Sequence, residues 1–147
     1  MRNRLMWAGT LVTAMTISTI GLVGSQATGQ APATPTGWIL EEDADAKKNP
    51  LTADAATLAT GKAIYKDKCA SCHGPAGLGD GPDSEPEARP DMDLTNSKRA
   101  GRNPDGVVYY KVLNGRRRPY KMPPFKGELT EQQIWTVVTY AQSLRKQ

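Results

Sequence analysis

Apolar residues return every three or four positions near the end of the chain. The residues that share this spacing are Ile134, Val137, Val138, Ala141 and Leu144. Such a period places them on one face of an α-helix. Thr130 and Gln133 form the T-x-x-Q pattern of a capping box, and Leu129 and Ile134 are spaced for a hydrophobic staple across it. The pattern therefore predicts a helix that begins after Thr130 and buries one face.

A second amphipathic pattern predicts a helix over residues 57–68. Its apolar stripe consists of Leu58, Ile64 and Tyr65. Gly61 lies inside this helix, where a glycine costs about 1 kcal/mol relative to alanine. A second helix that crosses close to Gly61 would account for that cost.

A third, shorter helix is predicted over residues 105–113. Asp105 is its predicted N-cap, and Asn114-Gly115 is typical of a helix end. The residues predicted to turn inward are Val107, Val108, Tyr110 and Val112 or Leu113. Between residue 74 and this helix, glycine and proline recur too often for long regular elements. The coarse prediction is an all-α protein with long loops.

The N-terminal 27 residues are typical of a secretory signal peptide. Arg2 and Arg4 precede an uncharged stretch, residues 5–24, and Ser25-Gln26-Ala27 matches a cleavage site. The alternative is an uncleaved anchor, because twenty uncharged residues can just span a bilayer. Either interpretation places the rest of the chain outside the cytoplasm, in the bacterial periplasm.

The remaining sequence divides into two parts. Residues 28–56 are linker-like, and their lone apolar group, Trp38-Ile39-Leu40, is expected to dock on the domain or on a partner. Residues 57–147 are the predicted domain. The length of 147 residues and a hydrophobic fraction of 38% are compatible with one soluble domain that has a modest core.

The chemistry is concentrated in residues 69–73, which read C-x-x-C-H. Cys69, Cys72 and His73 are the only cysteines and the only histidine in the chain. This motif is the attachment signature of c-type haem, in which the thiols form thioethers and the imidazole binds the iron. The sequence therefore predicts one covalent haem c.

Other interpretations of the two cysteines are weaker. A thioredoxin-type dithiol lies at a strand-to-helix junction, and no such alternation surrounds Cys69 and Cys72. A structural zinc site needs four ligands, usually in two separated pairs. A disulfide between residues so close in sequence would be strained.

The second axial position of the iron requires a ligand from elsewhere. Methionine raises the potential and closes the iron to exogenous ligands. Two methionines, Met92 and Met122, lie beyond the leader. Met122 is followed by Pro123-Pro124, which stiffens the loop that presents it. We therefore predict that Met122, rather than Met92, binds the iron opposite His73.

With these motifs, the chain resembles the class I cytochrome c family over roughly residues 58–144. Gly61 and Tyr65 match the glycine and aromatic residue of the family's first helix, and Tyr140 matches the aromatic residue of its last helix. Asp93-Leu94-Thr95 resembles its D-L-T, and Met122-Pro123 resembles its M-P. The resemblance implies three to four helices and long loops wrapped around one haem.

The resemblance also implies further haem contacts. Leu94 of the D-L-T sequence would contact the haem. A proline carbonyl would accept the Nδ1–H of His73 and orient the imidazole. Pro82 and Pro90 are both candidates, and Pro90 is preferred. The insertion of Met92 before Asp93 departs from the commonest spacing of the family.

Electron transfer without catalysis is the expected function. The expected partners are redox proteins with an acidic docking surface, because six cations cluster around Met122: Lys111, Arg116, Arg117, Arg118, Lys121 and Lys126. Such a cluster also fits a solvated face or pairing with the haem propionates. No nucleic acid partner is expected, and a membrane is involved only if the N-terminus is retained as an anchor. The alternatives are a haem-bearing subunit of a larger dehydrogenase or oxidase, and a haem enzyme or gas sensor with a labile distal ligand.

Overall fold

Five α-helices frame the part of the chain that the computed structural model describes, residues 37–117 and 122–145. They are α1 (Ala55–Lys68), α2 (Ala70–His73), α3 (Arg89–Met92), α4 (Asp105–Asn114) and α5 (Glu131–Ser143). Two 3₁₀ turns, Pro86–Ala88 and Ser97–Arg102, complete the loops. No strand occurs in the described ranges, which hold only isolated bridges. The prediction of an all-α fold is confirmed.

The first helix begins two residues earlier than its apolar stripe indicated. The Asp54 carboxylate accepts a hydrogen bond from the Thr57 N–H at 2.8 Å, which caps the helix at its N-terminus. At Gly61, α1 crosses α5 so closely that a Cβ would lie 2.6 Å from the Thr136 carbonyl oxygen. The predicted close crossing is therefore present.

The last helix has the predicted capping box. The Thr130 N–H donates to the Gln133 side chain at 2.9 Å, and the Gln133 N–H donates to the Thr130 hydroxyl at 3.2 Å. Ile134 and Val138 are fully buried, as predicted. Trp135 is buried as well and stacks on Tyr109 of α4 at a centroid distance of 4.3 Å. Because α5 packs against both α1 and α4, it buries more than the single face that its apolar period predicted.

The fourth helix differs from its prediction at the N-terminus. Its N-cap is Pro104, and the helix already includes Asp105. The Asp105 carboxylate accepts a hydrogen bond from the Gln142 side chain of α5 at 2.7 Å. The predicted N-cap role of Asp105 is wrong, because a tertiary contact engages its carboxylate. Gly115, at φ 68°, ends the helix as predicted.

Residues 37–50 pack against the helices instead of forming a linker. Ala44 is 4% exposed and belongs to the hydrophobic core. Asp43 accepts a hydrogen bond from the Tyr110 hydroxyl at 2.7 Å, and Asn49 donates to the Thr139 hydroxyl at 2.9 Å. The linker interpretation is therefore wrong for this segment. The expected docking of the Trp38 group on the domain is present, because Trp38 forms a bridge with Arg116. The predicted leader, residues 1–27, lies outside the described residues.

The helices of the described ranges are short. None of them has the length and apolar character needed to cross a membrane.

Candidate haem site

Two adjoining cavities lie where the predicted haem ligands meet. They hold about 1010 Å³ and 710 Å³ of empty space, counted out to their open mouths. The residues that line both cavities are Trp38, Cys69, His73, Asp91, Arg116 and Met122. Both predicted axial ligands thus line the same two cavities.

The C-x-x-C-H sequence forms a single helical turn directly after α1. Cys69 follows α1, and α2 carries Cys72 and His73. The His73 N–H donates to the Cys69 carbonyl oxygen at 2.9 Å. Both thiols are free and half-buried; Cys69 lines both cavities and Cys72 the second. The turn therefore presents two thiols and an imidazole to one space.

Tyr65 fixes the end of this turn. Its hydroxyl donates to the carbonyl oxygen of Gly74 at 2.8 Å, and its ring lies 5.3 Å from that of Tyr140. Burial raises the pKa of the Tyr65 hydroxyl, so the group remains a protonated donor. The contact ties the residue after His73 to the helix pair α1 and α5.

The His73 ring is oriented by one backbone oxygen. Its Nδ1 lies 2.8 Å from the carbonyl oxygen of Met92. Because a carbonyl can only accept, Nδ1 carries the proton and Nε2 keeps a free electron pair. Burial lowers the pKa of His73, while the hydrogen bond to Met92 acts in the opposite direction. A neutral imidazole with a fixed tautomer is the form that binds a metal.

This contact corrects the prediction that the carbonyl of Pro90 orients His73. The Pro90 carbonyl oxygen accepts a hydrogen bond from Arg99 at 2.7 Å, and the same guanidinium pairs with Asp91 at 2.8 Å. Met92 is the last residue of α3, where a helix leaves its carbonyl groups without intrahelical partners. The extra residue before Asp93 thus moves the acceptor from the proline to Met92.

Met122 is positioned by backbone pairing on both of its polar groups. Its N–H donates to the Arg116 carbonyl oxygen at 3.0 Å, and its carbonyl oxygen accepts from the Arg116 N–H at 2.8 Å. The N–H groups of Phe125 and Lys126 then donate to the carbonyl oxygens of Val112 and Leu113 at the end of α4, at 3.1 and 3.0 Å. Residues 122–126 are therefore attached to Arg116 and to the end of α4.

Leu94, a predicted haem contact, and Met92, the rejected alternative to Met122, differ in their surroundings. Leu94 lines the first cavity, and its N–H donates to the Gly77 carbonyl oxygen at 2.8 Å. The Asp93 carboxylate accepts from both the N–H and the hydroxyl of Thr95, at 2.8 and 2.7 Å, which gives the D-L-T sequence its shape. Met92 borders the second cavity.

The first cavity has an excess of positive charge. Its lining includes four cations, Arg99, Lys111, Arg116 and Arg145, and two carboxylates, Asp91 and Asp93. Burial, followed by repulsion from Arg99 and Arg116, lowers the pKa of Lys111 to about 8. A ligand with negative groups would relieve this repulsion.

These positions change the interpretation of the predicted basic cluster. Lys111 and Arg116 are half-buried in the cavity lining and thus are not part of a solvated docking face. Arg117 and Lys126 are exposed. Arg118 and Lys121 lie outside the described residues. Sequence reasoning missed Arg99 and Arg145, and no local pattern marks them.

The residues present fit a haem c. Two free thiols, a neutral imidazole and a thioether surround a largely apolar space with a cationic side that suits carboxylates. Elsewhere in residues 37–117 and 122–145, no cluster of three or more His, Cys, Asp or Glu could hold a metal ion. A structural zinc site therefore lacks the additional ligands that it would need in those ranges.

Comparison with known proteins gives the family. The sequence model of the cytochrome c family matches residues 58–145, which is more than half of the chain. The chain belongs to the cytochrome c family. This cytochrome is accordingly a class I member with covalently bound haem c, and it is an electron carrier.

One curated relative and one solved structure show the extent of the similarity. This cytochrome is 31% identical over 85 residues to cytochrome c6 of Parathermosynechococcus lividus, a match that covers 58% of this chain and 87% of that protein. It also resembles a chain of the Kuenenia stuttgartiensis reducing HAO-like protein complex Kustc0457/Kustc0458, with 33% identity and a TM-score of 0.57. That match covers 66% of this chain and only 47% of the other, so this cytochrome spans about half of that chain.

Proposed function

We propose that this protein is an exported, mono-haem electron carrier and that its haem is attached to Cys69 and Cys72. His73 and Met122 are the two axial ligands of the iron, and the protein has no catalytic reaction of its own. When bound, the haem supplies a reversible one-electron couple. The periplasm is the compartment that suits this assignment, because bacteria attach c-type haem there.

One observation carries the proposal: His73 and Met122 line the same two cavities, and backbone contacts fix both residues. Nδ1 of His73 faces the Met92 carbonyl oxygen at 2.8 Å, and Met122 pairs with Arg116 through both its N–H and its carbonyl group. A His/Met pair raises the reduction potential and leaves no position for an exogenous ligand. Because both residues are held by the fold, the iron can change oxidation state with little movement of the protein. Such a site suits electron transfer.

A haem enzyme or gas sensor fits these residues less well. Such proteins need an open distal position with a nearby group that handles protons. The chain's only histidine is His73, whose ring is already oriented by Met92. Met122, which lines the same two cavities as His73, would occupy the distal position.

A haem-bearing subunit of a larger assembly is the second candidate. The similarity to part of a chain in the HAO-like protein complex favours it. Subunit and diffusing carrier perform the same electron transfer and differ in how long the partner stays bound. For a diffusing carrier, Arg117 and Lys126, the exposed members of the predicted basic cluster among the described residues, would meet an acidic partner surface.

The substitution Met122→Ala tests the axial assignment. The wild-type protein should be six-coordinate and low-spin in both oxidation states, and its ferrous form should not bind carbon monoxide readily. The variant should bind carbon monoxide, have a lower midpoint potential and lose at least about 2 kcal/mol of stability, the lower end for Met→Ala in a packed site. Absorption spectra, a redox titration and denaturant unfolding measure these effects.

Met92→Ala is the matched control. Met92 also borders the second cavity, and the substitution keeps the backbone carbonyl that holds His73. This variant should keep the wild-type spectrum and remain closed to carbon monoxide. If Met92→Ala opens the iron and Met122→Ala does not, the axial assignment is wrong. Rapid carbon monoxide binding by the wild-type ferrous protein would instead favour the sensor or enzyme interpretation.

A further inference from the structure

Trp38 lines both cavities although it lies outside the region that matches the cytochrome c family. The family match begins at residue 58. Trp38 nevertheless borders the same space as Cys69, His73 and Met122. A residue upstream of the family domain is thus placed with the haem-binding residues.

The backbone at Trp38 forms one layer with the loop that carries Met122. Trp38 and Arg116 form an antiparallel bridge, and Arg116 and Met122 form another. The Asn114 side chain donates to the carbonyl oxygen of Ile39 at 3.0 Å. The three segments around Trp38, Arg116 and Met122 therefore lie side by side, with Arg116 in the middle.

The indole ring is fixed by the cations of the cavity. The Lys111 Nζ lies 4.9 Å and the Arg116 guanidinium carbon 5.3 Å from the centroid of the Trp38 ring. Cations within about 6 Å of an indole face are attracted by its electron density. These contacts, together with the bridge to Arg116, hold the ring against the cavities.

The rest of the segment makes its own contacts with the helices. Tyr110 donates to Asp43, Asn49 donates to Thr139, and the close approach of Ala44 leaves no room for a Cβ at Gly106. Contacts with α4, α5 or the residues that follow α4 are thus made at five positions: Trp38, Ile39, Asp43, Ala44 and Asn49. The segment is part of the folded domain, so the position of Trp38 does not depend on a partner protein.

We propose that Trp38 is a wall of the haem pocket and that it limits the access of water to the haem. The inference deepens the proposed function and rests on the same cavities holding the haem, but it does not depend on Met122 being a ligand. Water stabilises the more highly charged ferric state, and solvent exposure is one of the factors that set a haem potential. By excluding water, Trp38 raises the midpoint potential.

The test compares Trp38→Ala with two controls in the full holoprotein. Ile39→Ala removes the neighbouring side chain, which is 44% exposed and borders neither cavity. Tyr110→Phe removes the hydrogen bond to Asp43 and leaves Trp38 in place. Midpoint potential is measured by redox titration, and haem exposure by the change in haem absorbance when ethylene glycol is added to the solvent.

Trp38→Ala should lower the midpoint potential and enlarge the response to ethylene glycol, with the wild-type axial ligation unchanged in its spectrum. Both controls should match the wild type in both measurements, and Trp38→Phe should restore most of the difference. If Trp38→Ala does not accumulate as holoprotein, Trp38→Leu replaces it and should change both measurements in the same direction.

Three results would overturn the proposal. The first is a folded alanine or leucine variant with the wild-type potential and the wild-type solvent response. The second is an equal change in Tyr110→Phe or Ile39→Ala, which would show that loosening of the whole segment is responsible. The third is a loss of the distal ligand in Trp38→Ala, which would show that Trp38 acts through the Met122 loop. The proposal of His/Met ligation itself fails only in the separate experiment on Met122.

Discussion

Replacing Gly61 by alanine tests the closest approach between two helices of the fold. A Cβ at this position would lie 2.6 Å from the Thr136 carbonyl oxygen and 2.7 Å from the Cβ of Tyr140. Both neighbouring atoms belong to α5, and neither can move by a change of side-chain rotamer. The two helices must therefore separate to admit the methyl group.

Two opposing effects set the size of the loss. Alanine gains about 1 kcal/mol over glycine in helix propensity. Favourable contacts lie at about 3.5–4.0 Å, so α1 and α5 must separate by roughly 1 Å. Overpacking commonly costs ~1–3 kcal/mol and sometimes more, and the absence of a flexible neighbour places Gly61→Ala at or above the upper end of this range. We expect a net loss of about 2 kcal/mol, which corresponds to a fall in Tm of about 10 °C.

Denaturant and thermal unfolding of the holoprotein, followed by far-ultraviolet circular dichroism, measure this loss. Gly101→Ala is the matched control, because a Cβ at Gly101 would meet no atom within 4 Å. Its stability should stay within about 0.5 kcal/mol of the wild type, as for most surface substitutions. A Gly61→Ala variant as stable as the wild type, or a Gly101→Ala variant equally destabilised, would refute the reasoning.

The remaining predictions concern charge. A protonated Lys111 beside the haem favours the reduced iron. Burial and neighbouring cations lower the pKa of Lys111 from the ordinary 10.5 to about 8, and haem carboxylates would act in the opposite direction, so the midpoint potential should fall as the pH rises between about 8 and 10.5. Lys111→Met should lower the midpoint potential at neutral pH and reduce its dependence on pH. The exposed control Lys126→Met should keep the wild-type potential and pH dependence. An unchanged pH dependence in Lys111→Met would show that Lys111 is not the titrating group. For a diffusing carrier, Arg117→Glu with Lys126→Glu should slow electron transfer to an acidic redox protein and weaken its salt dependence. Unchanged stopped-flow rates would exclude these cations from docking.

The sequence predicted those features that depend on neighbouring residues. The capping box at Thr130 and Gln133 needs only residues three apart, and the structure contains both of its hydrogen bonds. The crossing at Gly61 was predictable as well, because an unfavourable residue inside a helix indicates a close neighbour. The C-x-x-C-H turn is equally local, since one helical turn brings Cys69, Cys72 and His73 together.

The sequence could not predict contacts that depend on tertiary structure. The sequence predicted the Pro90 carbonyl as the acceptor for His73, whereas the structure has the Met92 carbonyl in that role. A short helix ends at Met92, and Arg99 donates a hydrogen bond to the Pro90 carbonyl. Likewise, a run of cations around Met122 does not show which of them turn inward. Lys111 and Arg116 line the cavity, whereas Arg117 is exposed.

Residues 37–50 were misread for a related reason. Their contacts join residues that are 67 apart, as for Asp43 and Tyr110, or 90 apart, as for Asn49 and Thr139. The segment has no apolar period of its own. It does not need one, because single residues such as Ala44 are buried by contacts with the rest of the fold. A polar composition was therefore compatible with a linker and also with a packed segment.

The residues on one side of the pocket are close in sequence, whereas those on the other side come from distant segments. This difference determines which properties of the haem site amino-acid substitutions can alter. The proximal side is local: Tyr65, His73 and Met92 lie within 28 residues of one another, and hydrogen bonds fix the imidazole and the turn beside it. The distal side joins distant segments through the backbone of Arg116, which pairs with Trp38 on one side and Met122 on the other. A substitution in residues 37–50 can therefore alter the surroundings of the haem while both proposed axial ligands, His73 and Met122, stay in place. Variation in this segment would tune the potential of the carrier without changing its ligation.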